Sequence, residues 1–405
     1  MNTQGDNNNM TTVPLPAPYN RAFLLEHCQS ILNFYDPRVI DNEGGYFHNY
    51  LNNGDLFEKG MRQLVSSCRI VVNYARASRE LHKAEYRDVA LHGLAFVEQV
   101  HWRPDHQAYA WLLEDHNPLD MTQQNYGYAF VLLMYSAIHK AGIRDVADKI
   151  AATYQLMESR FWQSDYELYA DELSADGVLS DYRGQNANMH SCEAMIAAYE
   201  ATHELRYLRR AKLIAQNITE RQAAYTDGLI WEHYTPDFKV DWDYNLDDPK
   251  NLYRPWGFQP GHQTEWSKLL LAIHRLSPDQ ALVTKATFLF DKAFDVAWDH
   301  QHGGLIYGFD PQGKWCDDDK YFWVQAESFA AAAMLYQETG DNKYKVAYEQ
   351  LWQYSWTHMI DHEYGAWFRL LTRDNKAYSN QKSSAGAKCD YHTLCACFDV
   401  LTGMV

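Results

Sequence analysis

Apolar residues recur at three- and four-residue intervals along most of this chain. The pattern is clearest over 128–141 (YAFVLLMYSAIHKA), 192–202, 266–276 and 325–339, and it predicts a helix at each. Ranges 205–219 and 343–354 keep the period with more charge. Gly142, Gly340-Asp341 and Ser277-Pro278 supply helix stops. Between the helical stretches a short extended, aromatic patch returns: Gly45-Tyr46-Phe47, Ala108-Tyr109-Ala110-Trp111, Leu168-Tyr169-Ala170, Gly228-Leu229-Ile230-Trp231, Gly304-Leu305-Ile306-Tyr307 and Gly365-Ala366-Trp367-Phe368. The spacing is about 60 residues, with one longer gap that holds the polar insertion Asp237–Asn251. An insertion of that length predicts a loop over a site.

Two helices and one β-like turn per repeat, six times over, give about twelve helices. Stacked helix hairpins bury a continuous core, and six of them can close into a ring. The expected fold is therefore all-α, an (α/α)6 barrel (toroid) with short β-like hairpins in its loops. An open solenoid is the competing arrangement. No Pro/Gly/Ser-rich linker divides the chain, so residues 16–405 are expected to form one catalytic domain. Residues 1–15, polar and Asn-rich at their start, are expected to be a disordered tail. A closed ring has an axial funnel where inner-helix ends from all six repeats converge, which lets distant residues build one pocket.

Charge narrows the partners. The chain has 405 residues, 36 Lys+Arg against 53 Asp+Glu, and a net charge of −17. A nucleic-acid binder needs a basic footprint, and an acidic chain gains nothing at an anionic membrane. No apolar stretch approaches the ~20 residues that span a bilayer, and the start carries no signal-like segment. Seven cysteines cannot all pair internally, and their spacing is not that of a metal knuckle, so reduced thiols and a cytoplasmic location are expected. Aromatics reach 15%, with 13 Trp and 29 Tyr. Aromatic faces pack cores, and they also stack on the apolar faces of sugar rings.

The strongest local motif is Pro260-Gly261-His262-Gln263-Thr264-Glu265-Trp266. A turn leads into a helix, and His262 and Glu265 then share one face of its first turn. A carboxylate beside an imidazole orients it and raises its basicity, as a general base requires. A simple helix cap explains an isolated His-x-x-Glu equally well, and a metal site would need a third ligand such as His392. Two further histidines are read where a loop meets a helix: His190, at the end of Arg183–His190 (RGQNANMH), and His392, in Asp390-Tyr391-His392. Arg69 stands alone in the apolar helical stretch 63–74, either as a structural ion pair or as a ligand for a substrate oxygen. No Ser-His-Asp elbow, phosphate loop or dinucleotide fingerprint is apparent. Histidines meeting without a cofactor suit proton transfer at a carbon next to a carbonyl.

Taken together, PGHQTEW, RGQNANMH and Asp390-Tyr391-His392 resemble the N-acylglucosamine 2-epimerase superfamily over roughly 23–401. RGQNANMH is most similar to its mannose isomerase branch. The resemblance implies an (α/α)6 barrel, no cofactor and no metal. It implies that His262 and His392 are the acid/base pair, that Glu265 orients His262, and that His190 takes part in substrate binding and ring opening. It implies that Arg69 binds the oxygen at the reacting end, that Asn186, Tyr126 and Arg254 are polar sugar-binding positions, and that Trp323 and Glu327 form an aromatic–acidic wall. The chain departs from the cellobiose epimerases at Asp390, where Pro often stands, and at Val65, where Trp often stands. Both departures favour a monosaccharide.

The expected activity is a cofactor-independent aldose–ketose isomerase acting on D-mannose and D-fructose or related free sugars such as D-lyxose and D-xylulose, as a monomer or homodimer. The alternatives are a sugar 2-epimerase and, further off, an (α/α)6 glycoside hydrolase, which would need two carboxylates about 5–10 Å apart.

Overall fold

A computed structural model describes residues 14–404 of the chain. Among them are twelve α-helices: α1 (Arg21–Tyr35), α2 (Leu64–Glu80), α3 (Glu85–Phe96), α4 (Asn125–Lys140), α5 (Ala147–Arg160), α6 (Gln185–Thr202), α7 (Leu205–Gln216), α8 (Pro260–Leu276), α9 (Gln280–Ala297), α10 (Phe322–Thr339), α11 (Asn342–Tyr354) and α12 (Tyr391–Thr402). The even-numbered helices pack side by side in chain order, and α12 returns to pack on α2. That last contact closes the ring and excludes the open solenoid. The odd-numbered helices form the outer layer, α3 against α2 and so on round, with α1 against α12.

The two layers differ in composition for a physical reason. An inner helix meets two inner neighbours and an outer one, so it must be buried nearly all round. Helix α10 buries thirteen of its eighteen residues, and Ala330–Ala333 supply the small side chains that let neighbours come close. Outer α7 is buried on one stripe only, through Tyr207, Leu208, Ala211, Ile214 and Ala215.

The aromatic patches are half of short antiparallel ladders that close each repeat. Trp102 pairs Tyr109, and Trp162 pairs Tyr169. Single bridges Ile40–Tyr46, Trp298–Leu305 and Ile360–Trp367 occupy the equivalent places. In three repeats the fourth residue of the inner helix grips the patch with a side-chain amide. Asn188 accepts from the Tyr169 N–H (2.9 Å) and donates to its carbonyl (2.9 Å). Gln263 does the same to Ile230 (2.9 and 2.8 Å), and Gln325 to Leu305 (2.9 and 2.8 Å). These buried backbone groups thus find partners where no longer sheet supplies them.

Several inner helices begin earlier than the apolar pattern suggests: α6 at Gln185, α8 at Pro260 and α10 at Phe322. Their first turns carry polar residues that face the funnel, so periodicity misses them. Of the expected tail, residues 1–13 lie outside the described part of the chain, while Leu15 packs against the core. All seven cysteines are free thiols. Among the described residues no helix is long and apolar enough to cross a membrane.

Candidate active site

The first turns of the inner helices point into one end of the ring. Tyr126 is the second residue of α4, His190 the sixth of α6, His262 the third of α8, Trp323 the second of α10 and His392 the second of α12. His190 therefore stands inside a helix and not at a loop junction. Each helix also directs the positive end of its dipole at this mouth, which favours negative charge there.

Local sequence explains each placement. Pro260 begins α8 without losing a hydrogen bond, since a first-turn N–H has no helical partner. Gly261 lets Trp323 lie close: a Cβ there would sit 2.5 Å from the indole ring. Asp390 precedes α12 with φ of 51°, a conformation closed to proline and tolerated by aspartate. Its carboxylate accepts from Tyr35 (2.6 Å), from Thr393 (2.9 Å) and from Lys388, which fixes the turn that delivers His392. The Asp at this departure from the epimerase pattern is thus part of a built corner.

The three predicted histidines come together. The rings of His190 and His392 are 6.4 Å apart, and Trp323 lies 5.0 Å from His262 and 5.7 Å from His392. All three are buried, His262 to 9% exposure. Each imidazole has its own glutamate at Nδ1: His190 with Glu193 (2.8 Å), His262 with Glu232 (2.9 Å) and His392 with Glu327 (2.7 Å). A carboxylate on Nδ1 fixes the tautomer with the proton there and leaves Nε2 as a free acceptor facing the funnel.

This corrects two expectations. Glu265 does not orient His262; that partner is Glu232, which follows the Gly228–Trp231 patch and is brought close by the Gln263 clamp. Glu327, expected beside Trp323 in an aromatic–acidic wall, is the Nδ1 partner of His392. Trp266 donates to Gln185 Oε1 (2.7 Å), which turns the Gln185 amide N–H toward Glu232 Oε2 (3.0 Å). The carboxylate of Glu232 therefore has a second fixed donor.

Glu265 is left with neither oxygen hydrogen-bonded among the described residues, at 1% exposure. Burial, and then the nearby charge of Glu327, push its carboxyl well above the ordinary range. Both influences favour its protonated form. Burial also pushes His392 well below the usual imidazole value, helped by Arg69, His190 and Lys268. His190 is lowered by burial too, against the pull of Glu193. Both are neutral bases at pH 7.

Arg69 completes the floor. Its guanidinium packs 4.4 Å from the Phe130 ring centre and 5.0 Å from that of Tyr391, and donates to Tyr126 OH (2.7 Å). Among the described residues its Nε has no partner. Burial opposes its charge, but Tyr126, Tyr391 and Glu193 more than offset that. Tyr126 lies edge-on to His190 at 5.0 Å, and Asn186 Oδ1 is buried and unpaired on the same rim. Arg254 stands apart from the histidines. It bonds Glu172 (3.1 Å) and Tyr244 (3.1 Å) and stacks on Tyr182 at 3.8 Å, within the 237–251 insertion and its surroundings. That insertion meets the site indirectly, since the ring of its Tyr244 lies 4.7 Å from that of His233, next to Glu232.

Donor atoms of His190, Glu193 and Glu265, and of Glu265, Glu327 and His392, fall within 4.8 Å of one another. In each set the imidazole already serves a carboxylate, and Lys268 lies on Glu327 at 2.5 Å. Except for Glu265, the donors of both sets are engaged with other side chains.

A ring of helix hairpins with buried histidines at the inner N-termini defines a class, and comparison with known proteins identifies it. The family model of N-acylglucosamine 2-epimerase (GlcNAc 2-epimerase) matches residues 45–396, and the chain belongs to that family. It is 49% identical to the D-mannose isomerase of Marinomonas mediterranea over 388 residues, covering 95% of this chain and 98% of that one. It is 32% identical to the D-mannose isomerase of Thermobifida fusca, covering 70% and 71%. A crystal structure of a D-mannose isomerase superposes with a TM-score of 0.94 at 48% identity, covering 96% of this chain and 100% of that one. The protein is an enzyme of the isomerase class.

Proposed function

We propose that the protein is a cofactor-independent aldose–ketose isomerase that interconverts D-mannose and D-fructose. The observation that carries this reading is the set of three imidazoles, each with Nδ1 held by a carboxylate and Nε2 free, around a floor containing Arg69. His190 and His262 assist opening of the pyranose ring by moving protons at O1 and O5. Neutral His392 then takes the C2 proton at Nε2, and Glu327 stabilises the imidazolium that forms. The developing oxyanion at O1 meets Arg69 and takes a proton from the Glu265 carboxyl or from His262 protonated during ring opening, which gives the cis-enediol. His392 then returns its proton to C1 while the group that protonated O1 takes the proton of O2, which gives the ketose. Fixed donors aimed at a developing oxyanion, in a water-poor pocket, are commonly the largest contribution to catalysis. Each positioned acid or base adds roughly 10²–10⁴ in rate.

The similarity to D-mannose isomerases along the whole chain supports the substrate. The experiment is incubation with D-mannose in deuterium oxide with excess EDTA. Fructose is expected, with deuterium at C1 to the extent that the proton on His392 exchanges with solvent before its return, and His392→Ala should lose both product and C2 exchange while still binding mannose. Glucose without fructose would make the enzyme a 2-epimerase, and wild-type turnover by His392→Ala would remove His392 from the mechanism.

A further inference from the structure

The ring has a second opening. At the C-terminal ends of the inner helices lies a cavity of about 160 Å³, lined by Arg76, Lys140, Glu193, Lys268, Tyr391 and Asp399 among others. One line of charged side chains joins it to the catalytic floor. His392 Nδ1 bonds Glu327 Oε1 (2.7 Å), Glu327 Oε2 meets Lys268 Nζ (2.5 Å), Lys268 meets Asp399 Oδ2 (3.3 Å), and Asp399 Oδ1 accepts from Arg76 (2.8 Å). Four inner helices contribute, α12, α10, α8 and α2. Lys268 is at 4% exposure and Glu327 at 1%.

We infer that Lys268 is a positioning residue for the isomerisation: it holds Glu327 as the anion that fixes His392 with Nδ1 protonated and Nε2 free. The inference rests on the proposed role of His392. A buried glutamate alone beside an imidazole would take up a proton and cease to be an acceptor for Nδ1–H. Burial does press the Glu327 carboxyl upward, and Lys268 is the largest opposing influence. Lys268 itself is held toward its charged form despite its burial, chiefly by Glu327 and then Asp399, with Glu193 beyond. The other groups facing the Glu327–His392 pair are Arg69 and Arg76 on α2, Tyr126 on α4, His190 and Glu193 on α6, His262 and Glu265 on α8, and Tyr391 and Asp399 on α12. Arg69 acts more strongly than Lys268 on the His392 imidazole, but among the described residues the Lys or Arg paired with Glu327 is Lys268.

The sign of the effect distinguishes charge from scaffolding. The pair is active with Glu327 ionised and His392 neutral, and one added proton on either group inactivates it. Lys268 disfavours that proton and Asp399 favours it. In Lys268→Met the acid limb of kcat/KM against pH should move upward by about one unit or more, with kcat falling and KM for mannose changing little. Lys268→Arg should leave the limb near its wild-type position. Asp399→Asn, one step further from the site, should move it downward. The same shifts are read without turnover from ¹⁵N-histidine NMR of substrate-free protein, with His392→Gln identifying the signal. An Nδ1-protonated tautomer titrating higher in Lys268→Met and lower in Asp399→Asn supports the inference. Activity lost with the limb and the His392 titration unmoved, or both variants shifting in one direction, overturns it. If Lys268→Met does not fold, the direction seen in Asp399→Asn decides. If the wild type turns over no mannose, the functional reading fails by itself, and the NMR titration still decides the role of Lys268.

Discussion

Replacing Glu232 by glutamine tests the catalytic arrangement most directly. Two donors face Glu232 Oε2, the Nδ1–H of His262 at 2.9 Å and the Gln185 amide at 3.0 Å, and Oε1 has no partner. The new amide must place its oxygen at the Oε2 position to serve both donors. Its NH2 then occupies a site with no acceptor. The geometry of His262 survives, and what is lost is the charge on its partner. A hydrogen bond to a charged group is worth about 1.5–3 kcal/mol against about 0.5–1.5 for a neutral one, so about 1–1.5 kcal/mol is lost with the charge, and a buried unpaired amide costs about 1–3 kcal/mol besides. If the first of these appears in the transition state, kcat/KM falls by about 5- to 12-fold. The second appears as a lower melting temperature and not as a lower rate. Initial rates of fructose formation from mannose, with thermal unfolding of the same preparation, separate the two. Wild-type kcat/KM in Glu232→Gln would refute the assignment of Glu232 as the partner of His262.

Gly261→Ala places a Cβ 2.5 Å from the Trp323 ring and 2.9 Å from Val324, so the indole must shift; thermal unfolding should show a loss of about 1–3 kcal/mol, and KM for mannose should rise. Gln263→Leu leaves the Ile230 N–H and C=O unpaired in the interior, which should cost about 2–4 kcal/mol in urea unfolding; kcat should fall as well, because Glu232 follows that patch. His27 and His101 are buried, and burial lowers each from 6.5 to about 4. The unfolded chain takes up these protons first as pH falls. Stability should therefore be lost progressively below about pH 6.5 and level off near pH 4, by up to about 3 kcal/mol for each histidine. Urea midpoints at pH 7.5 and pH 5 measure this, and His27→Gln should reduce the dependence.

The ring itself is legible in the chain. Its repeat of aromatic patches survives because each patch must close a helix hairpin and bury its rings, whatever the rest of the repeat does. The inner helices are legible over their middles for the same reason: Trp266–Leu276 and Gln325–Thr339 face apolar neighbours on every side. Their first turns are hidden because function overrides the pattern there. Residues 185–190 of α6 read as a polar loop, yet Gln185, Asn188 and His190 are buried and hydrogen-bonded. The amide clamps carry a signal that pattern reading missed, an Asn or Gln at the fourth position of three inner helices.

The histidines are legible, and their partners only in part. Glu193 stands three residues after His190 on one helix, the very spacing that made Glu265 the expected partner of His262. Glu232 and Glu327 lie 30 and 65 residues from their histidines and come near them only through tertiary packing, the Gln263 clamp for the one and the α10–α12 contact for the other. Once these pairings are known, they bear on the chemistry as well as the architecture. Glycoside hydrolases of family 76 share this fold at TM-scores of 0.61 to 0.65 and 11% identity, so the ring alone does not choose a reaction. A hydrolase needs one carboxyl to protonate the leaving oxygen and a second, free, to attack or to activate water. Here Glu193, Glu232 and Glu327 are each committed to an imidazole Nδ1, and of the four only Glu265 has both oxygens uncommitted among the described residues. One free acid and three oriented bases suit the movement of protons between neighbouring carbons of a sugar, and leave no second carboxylate for the cleavage of a glycosidic bond.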